Sequence, residues 1–188
     1  EPAYRLSMGA HKGEATSKSC QFQRPVFPFV RTSPVALINF ESILHNPHFF
    51  NDKHGSLFNL AMPTADRELT TTLLRARGVG LRLQCDVHVH MNAWAAAFDH
   101  PYFTVTDEQG RFEISGIPPG SYTLVAWHAG YNIVKFAASR PVYDEPHVIR
   151  QATTMSPNGQ AEYRFEFPVR PVEVDWKIAG GDGELPPE

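Results

Sequence analysis

The sequence predicts an all-β chain, and three observations carry that expectation. Thirteen Phe, three Trp and sixteen Pro among 188 residues favour pleated surfaces and turns over a helical bundle. Short runs alternate apolar with polar side chains at period two and end at Gly, Pro, Asn or Asp. No stretch carries a sustained helical period with caps.

The elements follow in order. Glu1 to Lys18 is polar, has Gly and Ser and no sustained period, and reads as an extended arm packing on a partner or on the body. Gln21 to Val30 and Pro34 to Phe40 read as strands joined by the Arg31-Thr32-Ser33 turn. A β-rich segment from Ala36 runs into a His45-Asn46-Pro47-His48 corner, where Asn46 and Pro47 mark a turn. Asn51 to Ser56 is a polar loop, Leu57 to Met62 and Leu69 to Ala76 are short strands, and Arg77-Gly78 turns the chain into a strand ending at Cys85.

From Trp94 onward the texture is that of hairpins. Tyr102 to Thr106 and Arg111 to Ile114 alternate around a turn at Asp107-Glu108-Gln109-Gly110. A rigid turn at Gly116-Ile117-Pro118-Pro119-Gly120 then leads into a strand from Ser121 to His128. Later strands are expected at Asn132 to Ala137, His147 to Thr154, Ala161 to Val169 and Val172 to Ile178, before a Gly/Pro/acidic tail from Gly180 to Glu188.

Composition excludes some functions. With 42% hydrophobic residues the chain can bury one good core, and one or two compact units fit. A net charge of −3 supplies no basic field for nucleic acid or an anionic membrane. No apolar run approaches a membrane span and no signal peptide is visible. The chain begins at Glu1 rather than Met, which suggests a processed product and fits an exported precursor.

The chemistry concentrates in Cys85-Asp86-Val87-His88-Val89-His90-Met91, which gathers a thiol, two imidazoles and a thioether into seven residues. Such soft donors select copper or zinc. Val79, Leu81, Leu83 and Cys85 share one face at period two, so Cys85 sits where a half-buried strand runs into a loop that can fold His88 and Met91 back toward the sulfur. A blue-copper centre needs a second histidine, and His45 is the best donor. It can meet the Cys85 loop if its strand is a neighbour of the Cys85 strand pointing the same way. Asn46 would then steady the Cys85 loop through backbone hydrogen bonds.

Other readings compete. Cys20 and Cys85 permit one disulfide, which would deny Cys85 to a metal. Met91 suits the core as well as an axial site. His48, His90 and Cys20 are secondary ligand candidates. His100 in Asp99-His100-Pro101 and His128 after Trp127 are expected to do hydrogen-bonding and packing work. Cys85 with His88 could mimic a thiol and base pair, but no oxyanion loop accompanies them. Gly78-Val79-Gly80 opens a strand rather than a phosphate-binding helix.

Two resemblances enter here. Phe103-Thr104-Val105-Thr106-Asp107-Glu108-Gln109-Gly110-Arg111-Phe112-Glu113-Ile114, followed by Ile117-Pro118-Pro119-Gly120-Ser121-Tyr122-Thr123-Leu124, resembles the carboxypeptidase regulatory-like domain, a transthyretin-like β-sandwich. That pattern is specific to fold, not to function. Asn39 through Met91 resembles cupredoxins, with a strand, His45-Asn46, a long middle and Cys85-x-x-His88-x-x-Met91. The combination also looks like bacterial exported proteins in which Cys-x-x-His-x-x-Met occurs with Asp99-His100-Pro101-Tyr102-Phe103 and Trp127-His128, after a Cys-x-Phe segment matched by Cys20-Gln21-Phe22. The chain departs from that group at Arg24-Pro25-Val26, where Pro-His is usual, and at His90, where Trp is usual.

The resemblance implies a copper site of His45, Cys85, His88 and Met91 in an exported, periplasmic or extracellular protein that handles electrons or copper. It also places Cys20 near Cys85, either as a disulfide partner or as a second thiolate. The expected architecture is an extended arm over 1–18, a cupredoxin-like Greek-key sandwich over 19–100, continuous with a transthyretin-like sandwich over 101–179, and a tail over 180–188. The expected function is single-electron relay to a redox partner protein, a c-type cytochrome, with His90 and Trp94 lining the exit. No enzymatic step, nucleic acid or membrane span is expected. The rival expectation is a metal-free subunit stapled by a Cys20 to Cys85 bridge, docking on a larger redox assembly such as a multihaem cytochrome complex. A third is copper delivery without electron transfer.

Overall fold

Alternating apolar side chains need a covered face, and the first half of the chain provides one by stacking two sheets. The computed structural model describes residues 4–8, 20–51, 55–64, 67–73, 75–131, 133–137 and 140–168. Every regular element among them is a strand: β1 (Tyr4–Met8), β2 (Val26–Val30), β3 (Val35–Asn39), β4 (Pro47–Phe50), β5 (Ser56–Asn59), β6 (Arg67–Thr71), β7 (Gly78–Cys85), β8 (Asn92–Phe98), β9 (Gly120–His128), β10 (Ile133–Ala137), β11 (Arg140–Tyr143) and β12 (His147–Met155). The fold class is all-β. The chain separates into two compact units, Glu1–Tyr122 with Thr154–Gln160, and Thr123–Thr153 with Ala161–Glu188.

In the first unit a five-stranded sheet, ordered β2-β8-β7-β4-β5, shares its core with a three-stranded sheet, ordered β1-β3-β6. The expected turn at Arg31-Thr32-Ser33 forms, closed by the Ser33 N–H to the Val30 carbonyl at 2.9 Å, but it carries the chain from one sheet to the other. β2 alternates cleanly, with Phe27 and Phe29 inward, whereas β3 is buried along its whole length between β1 and β6. The small Ala93, Ala95 and Ala97 of β8 share the core with Phe27, Phe29 and Phe49. Burying each such ring contributes roughly 1.5–3 kcal/mol.

Several expectations change. The polar arm contains β1, which pairs in parallel with β3 and buries Leu6 and Met8. Leu81, Leu83 and Cys85 point inward as expected, but Val79 does not. The β7–β8 register shifts between Val79 and Leu81, where Gly80 takes φ 80°, and Val79 is left exposed. The turn at Asp107–Gly110 forms with Gly110 at φ 76° and the Asp107 N–H on the Arg111 carbonyl at 2.9 Å. Tyr102–Thr106 and Arg111–Ile114 nevertheless carry no strand ladder, and no strand is found over 161–168. Phe103 stacks on Phe98 with ring centroids 4.7 Å apart, but most side chains of these segments stay exposed. The expected strand at Val172–Ile178 and the tail from Gly180 lie outside the described residues.

In the second unit β9 pairs with β12 and β10 with β11, each as a two-stranded sheet. No described side chain there is fully buried.

Candidate metal centre

The Cys85 end of the first unit is built by backbone bonds. β7 delivers Cys85 with its side chain inward and only 2% exposed. The following loop is closed by the Cys85 N–H to the Met91 carbonyl at 3.1 Å and the Met91 N–H to the His88 carbonyl at 2.9 Å. Asn92 Nδ2 donates to the Val89 carbonyl at 3.0 Å. This closure brings His88 back over the sulfur, with Nδ1 at 3.7 Å from Cys85 Sγ.

His45 arrives from the other side. Pro47 opens β4 directly opposite Cys85 in an antiparallel ladder, so the residues just before β4 face the residues that end β7. The strands run in opposite directions, not in the same direction as expected; the histidine precedes a strand rather than ending one. His45 is fixed by its N–H on the Met62 carbonyl at 3.1 Å and by the Met62 N–H on its own carbonyl at 2.7 Å. Its ring is fully buried, its Nε2–H donates to Glu41 Oε2 at 2.8 Å, and its Nδ1 is buried with no hydrogen-bond partner. Asn46 donates its N–H to Cys85 Sγ at 3.3 Å and accepts the Asp86 N–H at 3.1 Å, as its expected steadying role requires.

The outcome is a cluster in which one ligand atom each from His45, Cys85 and His88 lies within 4.8 Å of the others. The two imidazole centroids are 4.9 Å apart. Burial pushes the Cys85 thiol up, but His45 and the backbone N–H groups of Asn46, His88 and Val87 outweigh it and bring it down from 9.0 to about 6. Burial likewise disfavours the charged His45 ring, and Cys85 and Glu41 outweigh that to raise its proton affinity. A thiol disposed to ionise, beside an orphaned buried imidazole nitrogen, fits a soft metal cation better than it fits a dry core.

Of the remaining candidates, the histidines and Cys20 have other partners. Met91 is buried in the core at the closing end of the loop. His48 lies outside the cluster, with Nδ1 at 2.8 Å from Asp86 Oδ2 and Nε2 at 2.8 Å from Ser56 Oγ. Asp86 is exposed; slight desolvation pushes its carboxyl up, but hydrogen bonds from His48, Gln84 and Asn59 outweigh that and hold it below the usual range. His90 is exposed, donates Nε2–H to the Cys20 carbonyl at 3.1 Å and stands edge-on to His88. Cys20 sits in a left-handed turn at φ 50° with its N–H on Glu41, and burial, Glu41 and Cys85 raise its thiol. Both cysteines are free, so the Cys20 to Cys85 staple is not formed. The Cys85 sulfur is instead turned to the Asn46 amide and His88. His100 Nδ1 accepts the Tyr102 N–H and His128 Nδ1–H donates to the Ala129 carbonyl, the ordinary roles expected for both. Sequence reasoning missed Glu41, whose only signal is a carboxylate four residues before a histidine, and Asn39, which organises the turn between them.

Comparison with known proteins adds the following. The family model for polysaccharide lyase family 4, domain II, matches residues 82–137. No curated protein matches. Among solved structures the chain is similar to a purple cupredoxin from Nitrosopumilus maritimus, at 12% identity and TM-score 0.40, over 50% of this chain and 99% of that one. It is also similar to amicyanin from Paracoccus versutus, at 20% identity and TM-score 0.38, over 52% of this chain and 85% of that one. An amicyanin variant in the Cu(I) state matches at 18% identity and TM-score 0.38, over 51% of this chain and 82% of that one.

Proposed function

We propose that this chain holds one copper ion, for which His45, Cys85 and His88 would be the main donors and the Met91 thioether a weaker one, and relays single electrons. The observation that carries the reading is the meeting of three donor side chains from two strand ends, one of them a fully buried imidazole whose Nδ1 makes no hydrogen bond to nitrogen or oxygen and whose ring interacts with Cys85. Bound copper would supply a reversible one-electron couple. The Cys85 sulfur, His45 Nδ1 and a His88 ring nitrogen are the groups that would hold it. The Asn46 N–H on the sulfur and the Glu41 carboxylate on His45 keep those donors aimed when the charge at the site changes.

The surroundings support a docking role. Val87 and Val89, 46% and 64% exposed, and Ile43 and Leu44, 42% and 39% exposed, lie on the two loops that carry the ligands. Apolar side chains on such loops suit a partner protein, which we take to be a c-type cytochrome, approached past His90 and Trp94. On this reading the protein is an exported carrier, periplasmic or extracellular, and not an enzyme. No helix among the described residues is long and apolar enough to cross a membrane. We further propose that the cupredoxin-like part, over 19–100, continues into a carboxypeptidase regulatory-like module over 101–179. The turns at Asp107–Gly110 and before Gly120 support that module. The free thiols weigh against the stapled, metal-free subunit.

Titration with Cu(II) tests the proposal. An intense visible charge-transfer band is expected at one equivalent, with loss of one alkylatable thiol. Absence of the band in the wild-type protein defeats the reading.

A further inference from the structure

We infer that Glu41 is the positioning residue of the metal centre: its carboxylate fixes the His45 ring with Nδ1 as the free lone pair and weights the site toward Cu(II) over Cu(I). This rests on the copper reading above. A carboxylate only accepts, so Oε2 at 2.8 Å from Nε2 puts the neutral ring's single proton on Nε2 and leaves Nδ1 with its lone pair. Had the neutral ring's proton sat on Nδ1, Nε2 would face the Glu41 carboxylate lone pair to lone pair.

Glu41 is itself held from two sides. Its N–H donates to Asn39 Oδ1 at 2.8 Å, and the buried Asn39 donates to the Ile43 and Met62 carbonyls at 2.9 and 2.8 Å. Its carboxylate oxygens accept the Cys20 N–H at 3.0 and 3.3 Å. The Cys20 carbonyl in turn takes the His90 Nε2–H, so one residue ties the anion on His45 to the loop that carries His88. At 15% side-chain exposure, the anion is poorly screened by water. It therefore stabilises the doubly charged cation more than the singly charged one.

The test pairs the apo protein with two variants. In the wild-type apo protein, at a pH high enough to make the His45 ring neutral, long-range proton–nitrogen NMR is expected to show it protonated at Nε2 and bare at Nδ1. Glu41→Ala is expected to lower Cu(II) affinity about 10- to 100-fold, with Cu(I) affinity falling less. Each tenfold difference between the two raises the potential of the one-electron couple by about 59 mV. Glu41→Gln keeps an acceptor oxygen without the charge, so it retains the tautomer and the charge-transfer band while still raising the potential. An Nδ1–H tautomer in the wild-type protein overturns the inference. So does a Cu(II)/Cu(I) affinity ratio unmoved in both variants. If His45→Ala binds copper as tightly as wild type, the copper reading itself fails, and the apo tautomer still reports on Glu41.

Discussion

The two units of the molecule use histidine in opposite ways, and the contrast shows what separates a ligand from an ordinary side chain. In the second unit His147 donates Nε2–H to Asp144 at 3.0 Å and His128 donates Nδ1–H to the Ala129 carbonyl at 2.6 Å, both beside partly exposed surface. Each is satisfied by a neighbour within three residues. In the first unit His45 is sealed under Met62 and Glu41 with one nitrogen paired and the other left bare. Leaving a buried polar atom unmatched costs about 1–3 kcal/mol, an expense that persists when something else is meant to occupy the lone pair. The second unit also has no fully buried described side chain, so it lacks the rigid packing that could hold such a vacancy open.

The comparison breaks first at Cys85. Cys85→Ser is expected to abolish the Cu(II) charge-transfer band outright, and His45→Ala to weaken copper binding by orders of magnitude, whereas His147→Ala and His128→Ala leave band and affinity unchanged. Visible spectroscopy and a competing chelator read both. If the His147 variant loses copper, the site belongs to the second unit and the assignment is wrong.

Next in size is the packing behind the site. Phe29→Ala removes a ring with no exposed surface from the shared core and is expected to cost about 3–5 kcal/mol in denaturant unfolding. Val134→Ala in the second unit, at a side chain 59% exposed, is expected to change stability by about 0.5 kcal/mol or less. Equal losses would mean that the second unit has a covered core after all.

Local patterns were right about part of the strand faces of the first unit and about the loop at Cys85, because Phe27, Phe29, Leu81 and Leu83 each report burial through their own alternation, and wrong at Val79, where the register shift turns the side chain out. His45 was legible for the same local reason, a histidine at an Asn-Pro corner. What lay beyond the sequence is pairing. Leu6 and Met8 sit in a short polar-flanked stretch whose strand exists only because β3 lies beside it. Glu41 matters only because the turn at Asn39 folds it onto His45, a contact no periodicity encodes. The converse failure is Tyr102–Ile114, where alternation and turn are both right but no ladder forms around them. Alternation states which face would be buried, not whether anything covers it.

The smallest expected effect is one of pH in the apo protein, and it separates the two cysteines. Cys85 titrates at about 6, below its unfolded 9.0, so its contribution to stability is complete above the unfolded value and is lost as pH falls through about 6. His45 shifts the other way: its proton affinity is raised, so its contribution is complete below its unfolded value of 6.5 and fades as pH rises through the folded one. The two groups face each other and titrate as a pair. In native Cys20→Ser apo protein, alkylation of the one remaining thiol should therefore show a midpoint near pH 6. In Cys85→Ser the remaining Cys20 thiol, raised by burial and by Glu41, should react only well into the alkaline range. Matching alkylation profiles for the two variants would mean that Cys85 gains nothing from His45 and the Asn46 N–H, and the electrostatic half of the site would have to be withdrawn.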